Sequence, residues 1–467
     1  MDPQSILARI EQDDIQNVDF RFTDLRGRWQ HIGFTAASIN ERILEEGVMF
    51  DGSAIPGWRD VSQSDMMLIP DLATVLADPF SAQPSLILIS DVAEPGSGIG
   101  YDRCPRSLAK RAVTQLASSG IADQAMVAVE MAFSIFDDVR SDASANEAFW
   151  RVDAEEGRYN DKTRYDVGNS GHRFSKTAPF AVAPADHLAD LRAEIVTMLQ
   201  SMGRRTQQQH HNAAAHQGEI NLAAAPLLDS ADGVQIYKYI VQNVANAYGK
   251  TATFMPKPMA MAGGQGFEIQ QSLWHDEKPV FAGNGYADLS DCCLHFIGGV
   301  LHHAQALNAL TNPSTNSYRR LAPGQGAPRH IAYAAMNRSA AIRLPFASIP
   351  EDKRVEMRFP DPSANAYLAF AALLMAGIDG MAKKIEPGDP MDRNLYDLPP
   401  EEIHELPTLC RSLDQALQAL DRDRDFLTTG DVFTDDLIEA YITLKRQEIE
   451  AVEAVPHPVE FQLYYSV

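Results

Sequence analysis

From Asn17 to Phe34 the chain reads N-V-D-F-R-F-T-D-L-R-G-R-W-Q-H-I-G-F. Val18, Phe20 and Phe22 alternate with polar residues, and Asp24–Gly27 supplies a turn, so the stretch predicts a β-hairpin. More short strand-like runs follow to about residue 95, Ser85–Ile89 among them. Arg103–Ser118 then reads as helix, with Pro105 near its start. This change of pattern divides the chain into residues 1–104 and 105–467. In the second part Leu188–Met202 and Val234–Tyr248 have helical spacing; Ile236, Ile240, Val244 and Ala247 share one face, and Gly249 ends the run. Ser290 caps a predicted helix running to about Leu310, and Asp361-Pro362 reads as a further helix start. Strands are expected near 127–136, 219–224, 267–274 and 353–359. Strands grouped early, then strands mixed with long helices, predict an α+β fold.

Several of these strands gather polar residues on one face. With period two, Glu130 shares a face with Ala128, Ala132 and Ser134. Glu219 pairs with Asn221 in the same way, Glu268 with Gln270 and Ser272, and Glu356 with Arg354 and Arg358. A carboxylate on an apolar strand is costly unless it is paired, bound to metal or facing water. Four such residues meeting in one cavity would suit a hard divalent cation such as magnesium or manganese. Four unrelated surface faces with ordinary salt bridges remain the alternative. Gly263-Gly264-Gln265-Gly266 precedes the Glu268 strand and allows close backbone approach to a ligand. Arg320, Arg338, Arg343, Arg354 and Arg358 crowd one stretch, and guanidinium forks suit phosphate and carboxylate. His210, His211 and His216 lie close to Glu219, a grouping that could take a transition metal.

The net charge of −23 makes that arginine cluster notable and argues against nucleic acid or an anionic membrane as partner. No apolar run approaches membrane-helix length, and the N-terminal stretch Met1–Phe20 has no signal-peptide core. Cys104, Cys292, Cys293 and Cys410 form no C-x-x-C pair, which fits a reducing cytoplasm.

In order along the chain stand M-F-D-G-S-A-I-P-G-W from Met49, G-K-T-A-T-F-M-P-K-P from Gly249 and T-N-P-S-T-N-S-Y-R-R-L-A-P-G from Thr311. N-R-S-A-A-I-R-L-P from Asn337, V-E-M-R-F-P-D-P from Val355, N-L-Y-D-L-P-P-E-E from Asn394 and the ending H-P-V-E-F-Q-L-Y-Y-S-V complete the set. Together these segments resemble the type I (bacterial) glutamine synthetases over the whole length. The resemblance implies a small β-grasp-like N-terminal domain, a large catalytic domain, and twelve subunits in two stacked hexameric rings. It implies ATP-dependent activation of a carboxylate as an acyl phosphate, two divalent metals (magnesium or manganese), and displacement of phosphate by ammonia. By this resemblance Arg338, Arg343 and Arg354 bind phosphate, with Ser272 beside the nucleotide. Arg320, Arg358 and Gly264 hold the substrate acid, and Glu130, Glu219 and Glu356 are metal ligands. Asp51 and Ser53 reach a neighbour's ammonium site. Tyr396 matches a tyrosine that many family members adenylylate.

Other positions depart from the family pattern. Ala132 and Asn212 replace two carboxylate ligands of the substrate-side metal. Gly326 replaces the loop glutamate that accepts an ammonium proton, and Pro179 replaces the tyrosine beside the ammonium site. Glu268 and Gln270 replace two histidines, Glu268 remaining a possible metal ligand. The sequence thus supports three expectations: an ATP- and metal-dependent carboxylate–amine ligase with an altered small-molecule substrate rather than a glutamate–ammonia ligase; an inactive paralogue that assembles with itself or with a true synthetase; or a metal enzyme of another class.

Overall fold

The structure is a computed structural model that describes residues 1–96, 98–157, 160, 171, 180–212, 214–260, 262–324, 326–403 and 405–466. Helix α1 (Pro3–Gln12) opens the chain, with Asp2 accepting from the Ser5 amide at 2.7 Å as N-cap. The expected hairpin comes next as β1 (Asn17–Thr23) and β2 (Trp29–Thr35), paired antiparallel from Asn17↔Thr35 to Thr23↔Trp29. Val18, Phe20 and Phe22 point into the core, as their alternation predicts. Then come α2 (Glu41–Glu46), β3 (Val48–Asp51), β4 (Asp65–Pro70), β5 (Leu76–Ala77) and β6 (Ser85–Ala93). The sheet order is β2-β1-β6-β4-β3, with β5 added against β6.

Helix α3 (Pro105–Ser118) leads into the larger unit, with Pro105 at the first turn. Its strands and helices run β7 (Gln124–Phe136), the hairpin β8 (Asp138–Ala143) and β9 (Ala148–Asp153), α4 (Ala189–Ser201), β10 (Thr206–His211), β11 (Gln217–Pro226) and α5 (Leu227–Ala247). They continue through β12 (Thr251–Thr253), β13 (Phe267–His275), β14 (Lys278–Pro279), α6 (Asp291–His302), α7 (Ala304–Thr311), α8 (Ser317–Arg320), β15 (Tyr333–Ala335), β16 (Ile342–Leu344), β17 (Val355–Met357) and α9 (Ala366–Lys383). The main sheet is ordered β10-β11-β7-β13-β17-β16-β15, with β12 and β14 at its margins. Helices α5 and α9 cover one face; α9 is apolar enough to suit a membrane by composition, but it lies buried in the core. The other face carries a row of polar residues.

Two sequence expectations shift. Asp361-Pro362 does not start a helix. Asp361 instead caps a turn, accepting from the Ser363 amide at 3.0 Å, and Asn365 is the N-cap of α9. The helix from Ser290 is capped as expected, with Ser290 accepting from the Cys293 amide at 3.1 Å, but it breaks at His303. The His303 ring bridges Asp423 at 2.8 Å and Asp379 at 3.0 Å and stacks on Phe426.

The two units meet at a buried charge. Arg106, 2% exposed in the first turn of α3, binds Asp232 on α5 at 2.9 Å, Asp91 on β6 at 3.1 Å and Asp71 at 2.8 Å. Tyr367 on α9 adds a hydrogen bond to Asp232 at 2.6 Å. Gly27 in the hairpin turn has φ +79°, and a Cβ there would sit 3.0 Å from Asn365 Cα, so only glycine lets the turn dock on α9.

Arg106→Met removes the cation and leaves Asp232 buried without it. The expected loss is about 3–5 kcal/mol of unfolding free energy by denaturant titration. Asp71 gives a pH signature. Burial opposes its charge, but Arg106 outweighs burial and holds the Asp71 pKa below its ordinary value. Its contribution is present above the unfolded pKa and lost as pH falls through the folded one, so part of the acid sensitivity of stability disappears in Arg106→Met.

Candidate active site

Cross-strand register assembles the polar row. His210 on β10 faces Glu219 on β11; Glu219 faces Ala132 and Asn221 faces Glu130 on β7. Glu130 faces Glu268 on β13, Gln270 faces Glu356 on β17, and Glu356 faces Arg343 on β16. Four carboxylates from four adjacent strands therefore meet on one sheet face.

Their environments divide them in two. On one side, Glu268 is bound by Arg358 at 2.8 Å and reached by Arg338 at 3.4 Å. Burial opposes its charge, but Arg358 and Arg338 prevail and hold its pKa below the ordinary value. Glu356 takes Arg343 at 2.9 Å and Arg358 at 3.5 Å, yet burial and the neighbouring Glu268 raise its pKa to about 7. On the other side, Glu130 accepts from Asn221 Nδ2 at 2.9 Å and shares a hydrogen bond with Glu219. Burial and then Glu219 push Glu130 up to about 9, and burial raises Glu219 as well. His210 Nε2 lies 3.2 Å from Glu219, and the Asn212 amide donates to the same carboxylate.

The donor set fits a divalent cation. One ligand atom each from Glu130, His210 and Glu219 lie within 4.8 Å of one another. Glu268 Oε2 and Asn221 Oδ1 are buried oxygens without a hydrogen-bond partner among the described residues. Glu130 and Glu219 come together, whereas Glu268 and Glu356, expected as ligands beside them, are engaged by arginines. Of the three histidines only His210 joins the cluster. His211 is turned to Glu156 at 3.0 Å. His216 is buried against Phe136, and burial lowers its pKa to about 4.

The arginines ring this cavity unequally. Arg338 is 62% exposed along its side chain and only grazes Glu268, which leaves its fork available. Arg354 is held by Gln270 Oε1 at 2.7 Å. Arg320 donates to the carbonyls of Phe359 at 2.8 Å and Arg358 at 3.0 Å, so it braces backbone and does not touch the carboxylates. Gly264 packs on it; a Cβ there would lie 2.7 Å from Arg320 Cγ. Ser272, two residues beyond Gln270, accepts from Trp274 Nε1 at 3.1 Å. Tyr396 donates to the Gly326 carbonyl at 2.8 Å, which puts both beside Arg338, whose carbonyl is 3.4 Å from the same hydroxyl. Gly326 has φ +75° and open space where a side chain would project. Pro179 lies outside the described residues.

Asp51 and Ser53 do not join the row within one chain. They are bonded to each other, Ser53 Oγ to Asp51 at 2.6 Å, at the edge of the N-terminal sheet. The grouping of His210 with Glu219 is legible in the sequence, whereas the Asn221 contact on Glu130 is not drawn from it; its signal is the period-two face that Glu219 and Asn221 share.

The family model for "Glutamine synthetase, catalytic domain" matches residues 102–464, and that for "Glutamine synthetase, beta-Grasp domain" matches residues 14–95. The chain belongs to the glutamine synthetase family. It is 50% identical to a glutamine synthetase of Bradyrhizobium diazoefficiens over 99% of both chains. To one of Azospirillum brasilense it is 51% identical over 100% of both. A cryo-EM structure of Plasmodium falciparum glutamine synthetase superposes with a TM-score of 0.91 at 28% identity, covering 100% of this chain and 99% of the other. A GmaS/ADP complex superposes with a TM-score of 0.81 at 26% identity, covering 99% of each. Family membership makes the chain a member of a C–N ligase family with a β-grasp domain preceding a large α+β catalytic domain.

Glu130→Gln tests the crowding of carboxylates. In chelator-treated protein it removes one of two adjacent buried acids and should raise unfolding free energy by about 1–4 kcal/mol. Manganese or magnesium should then stabilise the parent protein more than the variant in thermal melts.

Proposed function

We propose that this chain is an ATP- and divalent-metal-dependent carboxylate–amine ligase whose amine is larger than ammonia. The observation that carries this reading is the register across from Glu219: a methyl group, Ala132, stands there, and the Asn212 amide binds the same carboxylate. The resemblance implies carboxylates at both positions. Ammonium is drawn in by negative charge and needs a base to take its proton. Asn212, Ala132 and Gly326 add no further carboxylate beside Glu219, while the open space at Gly326 suits a larger nucleophile.

The retained groups support the activating half of the reaction. Arg338, exposed and touching Glu268 only at 3.4 Å, offers its fork to a transferring phosphoryl group, with Arg343 and Arg354 in the same stretch. Transfer of the terminal phosphoryl of ATP to a carboxylate oxygen gives an acyl phosphate and ADP. The amine nitrogen then bonds to the acyl carbon, phosphate leaves, and the nitrogen gives up a proton. Glu219 beside His210 is placed to receive that proton. Bound at Glu130, Glu219 and His210, or at Glu356 and Glu268, a divalent metal would offset charge on phosphate. Nucleotide binding by this scaffold is supported by the GmaS/ADP complex.

We place the protein in the cytoplasm as a homo-oligomer, two hexameric rings being what the resemblance implies. Asp51 and Ser53 then complete a neighbour's site. Exposed Phe461, Leu463, Tyr464 and Tyr465 near the C-terminus, with Phe149 and Trp150 on the β8–β9 hairpin, are apolar surface suited to subunit contacts. Tyr396, 48% exposed beside Arg338, is the candidate modification site.

Ordinary glutamine synthesis is the second reading, favoured by identity of about half over the full length to proteins that carry out that reaction by name. The two separate in one experiment. The full chain is given magnesium, ATP and glutamate with either ammonium or a panel of primary amines, and ADP and amide are measured together. Amide formation faster with an organic amine is expected. Preference for ammonium establishes the second reading, and failure to bind nucleotide in calorimetry leaves an inactive paralogue, alone or beside a true synthetase.

A further inference from the structure

A second cavity lies at the seam between the two units, away from the carboxylate row. It has a volume of about 600 Å³ and is lined by the β1–β2 turn, helix α5, strand β12 with the residues after it, and Pro362–Ser363. That volume suits a small organic ligand.

Its chemistry is one-sided. Arg26, Arg28 and Lys238 line it, and no carboxylate among the described residues does, in a chain whose net charge is −23. Arg26 is shared with Glu448 at 2.8 Å. The Arg28 guanidinium is exposed and has no hydrogen bond or ion pair among the described residues. Lys238 is half-buried, with the Ala364 carbonyl at 3.3 Å as its hydrogen-bond partner and the Phe254 ring at 5.7 Å. Burial pulls its pKa down to about 8, opposed only by Asp361. A cation so placed is stabilised by an anion brought to it.

Aromatic and amide groups complete the walls. Trp29, Tyr239 and Phe254 line the cavity with Gln235 and Gln242. Trp29 Nε1 is buried with no hydrogen-bond partner among the described residues, an N–H donor left over. Tyr239 is already engaged with Asp78 at 2.8 Å, and Gln235 with Thr23 at 2.8 Å. The Arg28 guanidinium is thus unengaged among the described residues, and Lys238 holds a single weak partner.

We propose that this cavity is an effector site for a small metabolite with two or more acidic groups, phosphates or carboxylates, held by Arg28, Lys238 and Arg26. Its walls connect to the carboxylate row. Pro362 and Ser363 come after Arg358 in the segment between β17 and α9. The Met255 carbonyl accepts from Gln265 Nε2 at 2.8 Å, beside Gly264. A ligand filling the cavity touches both supports and both units, whichever amine the ligase uses.

The test is calorimetry on the assembled full-length protein at low ionic strength, with sodium pyrophosphate and sodium citrate as separate probes. Saturable binding of one probe per chain is expected, weakening with added salt. Arg28→Gln and Lys238→Met should each weaken it by about tenfold, the loss of a charged contact. Arg28 is exposed and Lys238→Met keeps its apolar stem, so both variants should melt near the parent temperature. Arg338→Gln, at the carboxylate row, should leave it unchanged. Tighter pyrophosphate assigns a phosphorylated effector, and tighter citrate a polycarboxylate. Absence of binding by both probes overturns the proposal. So does binding that survives Arg28→Gln and Lys238→Met but is lost in Arg338→Gln, because the anion then sits among the active-site arginines.

Discussion

A carboxylate buried on a sheet face must be matched by a cation or give up its charge, and here four of them stand side by side. The nine-stranded sheet imposes that proximity: antiparallel register sets Glu130 opposite Glu268 and, one strand on, Gln270 opposite Glu356. The chemistry open to the row depends on how each charge is answered. Arg358 joins Glu268 to Glu356, and Arg343 and Arg338 add to them. Glu130 and Glu219 have no arginine within salt-bridge distance among the described residues and instead hydrogen-bond to each other, with Asn221, Asn212 and His210 around them. The arginine half is built for phosphate and carboxylate. The carboxyl half is built for a divalent cation or for accepting a proton.

That row is rigid because the two units are locked behind it. Arg106 gathers three aspartates, two from the N-terminal unit and one from α5, and α5 packs on the sheet that carries the row. The docked turn at Gly27 fixes the same seam from the other side, with Asn365 Nδ2 donating to the Asp24 carbonyl at 3.0 Å. Asn365 also caps α9, the most buried helix in the core. A disturbance at the seam therefore reaches the start of α9 and the segment that leads back to Arg358.

Much of this was legible in the order of residues. Alternation at Val18, Phe20 and Phe22 specified the hairpin, and period two around Glu130, Glu219, Glu268 and Glu356 specified a shared face once the strands were neighbours. Which strands are neighbours is a tertiary fact, so pairing of Glu268 with Arg358, rather than with a metal, could not be read from spacing. Asp361-Pro362 misled because a turn and a helix start use the same Asx geometry. The choice fell to Asn365, whose amide the hairpin also needs. The histidines divided for a similar reason: β10 turns His210 toward Glu219, and alternation turns His211 away to Glu156. Asp51 and Ser53 stand apart from the row within one chain, at the edge of the N-terminal sheet.

Half-identity to glutamine synthetases and the proposed change of amine are compatible because they rest on different residues. Packing restrains positions across the sheet and the helices α5 and α9. The cavity contributes few residues, and each acts through charge. Exchanging a carboxylate for Ala132 opposite Glu219 costs the fold little, since a methyl packs there and relieves a like-charge pair in a buried site. The same exchange changes what the cavity can attract. Asn212 works in the same direction, turning a repulsion with Glu219 into a hydrogen bond. On the proposed reading Glu219 and His210 are left to take the proton from whichever amine enters, and the room at Gly326, not charge, selects the larger one.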